Sequence, residues 1–108
     1  MVYGMDESEY LRRSDEVLRQ IELALESVDG IDYELADGGI LHVECADGSR
    51  IVINRQAAAR EIWVAARSGG FHYRWDGAAW RDTRSGETLL AAIGRLLAAQ
   101  CGVSLPPA

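Results

Sequence analysis

The chain has 108 residues, of which 48% are hydrophobic, and a formal net charge of −6. This length supports one hydrophobic core and not two, and no apolar run approaches the ~20 residues that span a bilayer as a helix. A single domain with no membrane segment is expected. The charge is uneven: residues 1–50 hold thirteen acids against four arginines, and residues 51–108 hold seven arginines against four acids. The first half repels nucleic acid, so none is expected as a partner, while a cation or a basic protein surface is attracted to it.

The chain starts Met1-Val2-Tyr3-Gly4-Met5-Asp6-Glu7 and turns acidic at once, without the basic start and apolar stretch of a secretory signal. A cytoplasmic location is expected. From Ser8 to Val28 the apolar residues Leu11, Val17, Leu18, Ile21, Leu25 and Val28 recur at helical spacing, with Ser8 as N-cap and Asp29-Gly30 as the stop. Ile31 to Leu35 alternates apolar and acidic side chains as an edge strand does, and Ala36 to Gly39 is a turn. Ile40 to Cys45 is the next strand, and Asp47-Gly48 is a hairpin signal leading into Ile51.

Two apolar runs follow, Ile51 to Asn54 and Ile62 to Ala65, joined by Arg55 to Arg60. Side chains alternate along a strand. With Ile51, Ile53, Ile62 and Val64 toward the core, Val52, Asn54, Trp63 and Ala65 share the opposite face. Trp63 is then either a contact surface for a partner or a half-covered structural residue. Ser68 to Gly70 turns into the alternating Phe71 to Trp75, Asp76-Gly77 makes a second hairpin into a short strand around Trp80, and Ser85 to Thr88 opens a helix striped with Leu89, Leu90, Ile93, Leu96 and Leu97. The ends, 1–6 and 101–108, are expected to fray.

Short connections make the six-stranded sheet mostly antiparallel. Two helices with one apolar stripe each pack side by side on one of its faces. The result is an α+β two-layer sandwich spanning 1–108 with its other face open. Cys45 and Cys101 have no metal-knuckle or redox-pair spacing and read as two reduced, buried small hydrophobes. His42 and His72 fall on the open face as solvated residues. No nucleophile sits with a base and no glycine loop cradles phosphate, so no catalytic residues are assigned.

The acids are the more informative group. Glu22 and Glu26 are one helical turn apart, and Asp29, Asp32, Glu34 and Asp37 follow on the loop and edge strand. Clustered carboxylates without His or Cys suit hard cations in oxygen coordination, held weakly and with little selectivity. The plainer reading is a solvated face that keeps the protein soluble.

Gly38-Gly39-Ile40-Leu41, Asp47-Gly48-Ser49, Ile53-Asn54-Arg55-Gln56, Ile62-Trp63-Val64-Ala65, Ser68-Gly69-Gly70 and Asp82 through Leu89 stand in helix–six strands–helix order behind an acidic first helix and first strand. In these segments, from about Asp6 to Ala99, the chain resembles the frataxin family in its bacterial form. The resemblance implies a monomeric bacterial cytoplasmic protein with a two-layer sandwich fold. It implies weak binding of ferrous and ferric iron, for which other divalent or trivalent cations substitute, and docking to the cysteine desulfurase near the iron–sulfur scaffold protein to modulate cluster formation. The family's metal ridge maps onto Glu22, Glu26, Asp29, Asp32 and Glu34, with Asp37, Asp15 and Glu16 as contributors. Its partner-facing surface maps onto Asn54, Gln56 and Trp63, with Arg55 and Arg60 nearby. Leu23 and Ser27 stand where bacterial relatives often carry acids, which implies lower iron affinity. Two other roles stay open: an iron-oxidising or iron-storing protein with weak ferroxidase activity, and a metal-independent desulfurase regulator.

Overall fold

In the computed structural model, which describes residues 5–106, the first helix is α1 (Glu7–Leu25), capped by Asp6 rather than Ser8. The Asp6 carboxylate accepts the Glu9 N–H at 2.8 Å, satisfying one of the orphan donors of a helix start. The buried face runs Tyr10, Ser14, Val17, Leu18, Ile21 and Leu25, a three- and four-residue stripe. Leu11, expected in that stripe, is 38% exposed, and its neighbour Tyr10 takes the core position. The helix ends at Leu25, short of the expected Val28. Ser27 turns its hydroxyl back onto the Ala24 carbonyl, and Gly30 supplies the positive φ of +88° that leads into the sheet.

The sheet is an antiparallel meander in chain order: β1 (Ile31–Ala36), β2 (Ile40–Cys45), β3 (Arg50–Gln56), β4 (Glu61–Ala66), β5 (Gly69–Trp75) and β6 (Trp80–Asp82). A 3₁₀ turn, Ala57–Ala59, closed by Arg60 at φ +53°, joins β3 to β4. Thr88 caps α2 (Leu89–Leu96) by accepting the Ala91 N–H, and the helix widens into a π turn over Leu97–Cys101. Both helices bury their stripes against Leu41, Val43, Ile51, Ile53, Ile62 and Val64, so the expected sandwich of two layers is present. Burying side chains of this size stabilises by about 1.5–3 kcal/mol each. Among the described residues no helix is long and apolar enough to cross a membrane.

Two expectations for the sequence ends change. Cys45 and Cys101 are not a pair of reduced core thiols: they form a disulfide. The π turn extends α2 until Cys101 lies over the end of β2, with Cα atoms 4.9 Å apart across a sequence separation of 56 residues. Of the segments expected to fray, 1–4, 107 and 108 lie outside the described residues. Within them, Asp6 is a helix cap, Cys101 is bridged, and Val103 and Leu105 pack against the core.

Tyr73 lies wholly in the core, and among the described residues its hydroxyl has no hydrogen-bond partner. Burial, then the Asp82 and Glu87 carboxylates, pushes its pKa up to about 12. The fold therefore favours the neutral phenol. Its stability is intact below the unfolded tyrosine pKa of about 10 and is lost as pH rises from there through the folded value. Thermal melts are expected to show Tm falling between pH 10 and 12, with a shallower fall in Tyr73→Phe; identical slopes would contradict this placement.

Candidate functional site

Two surfaces carry the candidate residues. The first is the acidic edge. Glu22 and Glu26 project from the last turns of α1, a position where no basic residue offsets the negative end of the helix dipole. They face β1: the Tyr33 hydroxyl has a raised pKa, first from desolvation and then from Glu26 and Glu22. Tyr33 lies on the helix side of β1, so alternation turns Asp32 and Glu34 to the uncovered face. Asp32 stands opposite Glu44, and Glu34 opposite His42. Asp29 occupies the exposed loop before β1, and Asp37 the exposed turn after it.

The six carboxylates thus wrap the β1 edge from both sides instead of lining one ridge. Among the described residues no group of three His, Cys, Asp or Glu side chains converges as a metal cage. None of the six pairs with an arginine among those residues, and this sets them apart from Asp15 and Glu16. Asp15 is bound to Arg55, and Glu16 lies 3.5 Å from Arg13. Asp37, Glu22 and Asp15 line a groove between α1 and the β1–β2 turn, but Arg19 and Arg55 line it too. Leu23, 59% exposed, interrupts the acidic helix surface.

The second surface is the sheet face away from the helices. The register sets Asn54 opposite Trp63 and Trp63 opposite His72, while Gln56 stands opposite Glu61 and Glu61 opposite Arg74. Asn54, Gln56 and Trp63 therefore share one face. Arg55 does not: it turns toward α1, where it holds Asp15 and lies against Gly39. A Cβ on Gly39 would meet the Arg55 guanidinium at 2.8 Å and displace it, and at its φ of +77° any other side chain strains the backbone. Arg60 sits in the β3–β4 turn with its guanidinium 5.8 Å from the Tyr10 ring, at the end of the sheet.

Trp63 is half-buried, and His72 is no isolated solvated histidine. The two rings stack at 4.3 Å between centroids and 8° between planes. The indole Nε1–H donates to Glu61 at 2.8 Å, and Arg74 donates to the same carboxylate at 2.5 Å. Sequence reasoning missed Glu61 and Arg74. The signal was period two: Glu61 and Trp63 are two apart on β4, as His72 and Arg74 are on β5. Across this face Asp32, Glu34 and Glu44 lie at β1–β2 and Arg74 and Arg81 at β5–β6, with Glu44 paired to Arg50, Arg74 to Glu61 and Arg81 to Asp76.

A frataxin-like domain model matches residues 3–103. The iron–sulfur cluster assembly protein CyaY of Dechloromonas aromatica is 49% identical over 102 residues, covering 94% of this chain and 97% of its own. The protein of the same name from Cupriavidus metallidurans is 42% identical over 105 residues, covering 94% and 95%. Among solved structures, a frataxin from Psychromonas ingrahamii superposes with a TM-score of 0.86 at 26% identity, over 94% of this chain and 96% of that one.

Proposed function

The chain belongs to the frataxin-like family, and from that premise we propose that it serves iron–sulfur cluster assembly by docking to the cysteine desulfurase beside the scaffold and carrying iron loosely on its acidic edge. The same reading makes it a monomer of the bacterial cytoplasm. One observation carries it: an edge of carboxylates that have no arginine partners among the described residues stands beside an uncovered sheet face centred on a half-buried tryptophan. Carboxylates draw cations and the basic surface of a partner from a distance, whereas an aromatic centre gives short-range contact.

In this role iron is cargo. The all-oxygen donor set suits a hard cation, and the lack of converging ligands among the described residues favours weak, exchangeable association over a resident site. That same geometry supports a second reading, in which the acids serve docking alone. A desulfurase effect that survives chelation would favour it.

The test is the rate of cluster formation on the scaffold by the desulfurase, with cysteine and ferrous iron, with and without this protein. The rate is expected to change and the change to vanish in Glu22→Lys/Glu26→Lys; no change at any protein concentration would overturn the proposal. In metal-free buffer the same double variant is expected to raise Tm by on the order of 1–2 °C, because it puts cations where the helix dipole is negative and no basic residue now stands. A lower Tm would show that these acids hold the fold together.

A further inference from the structure

Glu61 projects toward the uncovered face, yet it is 4% exposed. A carboxylate withdrawn from water needs donors, and two strands supply them. Trp63 Nε1 lies at 2.8 Å and Arg74 Nη2 at 2.5 Å, with His72 Nδ1 at 3.8 Å. The pairing register brings them together, setting Arg74 opposite Glu61 and His72 opposite Trp63. The side chains of His72 and Arg74 are 50% and 58% exposed, so two cation-capable heads meet water around a buried anion.

The indole is thereby held by two constraints. The stack on His72 covers one ring face, and the bond from Nε1 to Glu61 restrains rotation about the side chain. We propose that Glu61 is the positioning residue of this face: it holds Trp63 in one orientation before a partner arrives and clamps Arg74 beside it as a fixed cation. Ordering an aromatic side chain in advance removes a cost that association would otherwise bear. Arg74 stands opposite Arg81. Arg74 is paired with Glu61 and Arg81 with Asp76, so this border is close to neutral and offers its remaining guanidinium N–H donors to acceptor oxygens of the partner. The inference rests on the docking role proposed for the Trp63 face.

The experiment compares dissociation constants for the purified desulfurase–scaffold complex with the exchange of the Trp63 indole N–H with solvent, read by NMR. Glu61→Leu removes acceptor and charge; Glu61→Gln keeps an oxygen acceptor. Glu61→Leu is expected to bind at least tenfold more weakly with a fast-exchanging indole proton. Glu61→Gln, whose one acceptor oxygen can hold Trp63 but not Arg74 as well, is expected to restore slow exchange and bind at a strength between Glu61→Leu and the parent. Trp63→Phe keeps a ring but has no donor, and is expected to bind several-fold more weakly. Parent-like binding by Trp63→Phe overturns the inference even if Glu61→Leu fails to fold. Weak binding by Trp63→Ala beside parent-like binding by Glu61→Leu overturns the positioning role alone, whereas parent-like binding by Trp63→Ala overturns the docking reading beneath it.

Discussion

Reducing the Cys45–Cys101 bridge with a dithiol is expected to lower the free energy of unfolding by about 2–4 kcal/mol. The bond joins residues separated by 56 positions, so it restrains most of the sheet and all of α2 in the unfolded chain. Other contacts at this end survive reduction. The Gln100 amide donates to the Ser49 hydroxyl and the Arg50 carbonyl and accepts the Arg67 N–H, and Val103 lies against Gly30. The reduced protein is therefore expected to keep its fold with Tm lower by on the order of 10–20 °C. Disulfides are rare in reducing compartments, so the stability of this reduced form bears directly on a cytoplasmic role. Equal Tm with and without dithiol, or two titratable thiols before reduction, would contradict the bridge.

Trp63→Ala is expected to weaken association with the desulfurase–scaffold complex about 30-fold, the loss typical of a central aromatic anchor worth about 2 kcal/mol. It also removes the stack on His72 and the bond to Glu61, so stability is expected to fall by about 1–2 kcal/mol. A freely exposed tryptophan would show no such loss. Denaturant unfolding and binding titration on the same preparation separate the two effects. A stability loss above about 3 kcal/mol with unchanged binding would make Trp63 a core residue instead of a contact.

Much of this was legible in the residues because alternation and helical periodicity are local. Ile51, Ile53, Ile62 and Val64 declare their face, and with short connections no other strand order is as simple as the meander. What escaped notice depends on pairs far apart in sequence. Nothing near Cys45 announces Cys101, because their meeting depends on how far the π turn carries α2 across the sheet. Arg55 next to Asn54 looks like part of the same surface, yet one residue of register sends it to Asp15 on the other side. Nothing next to Glu61 in sequence marks it as buried; Trp63 and Arg74, one of them thirteen residues away, close over it. The six acids at the β1 edge were individually visible. That they divide between two faces follows from Tyr33 taking the helix side.

In the proposed role the acidic edge guides encounter while the Trp63 face holds the complex. The most direct test is to measure association and dissociation rates with the desulfurase at two salt concentrations for the parent, Glu22→Lys/Glu26→Lys and Trp63→Ala. Guiding charges act on the association rate and its salt dependence, and a desolvated anchor acts on dissociation. The acid variant is expected to associate more slowly with a flatter salt dependence, and Trp63→Ala to dissociate faster with its salt dependence intact. The same kinetic change in both variants, or none in either, would contradict the division of roles between edge and face.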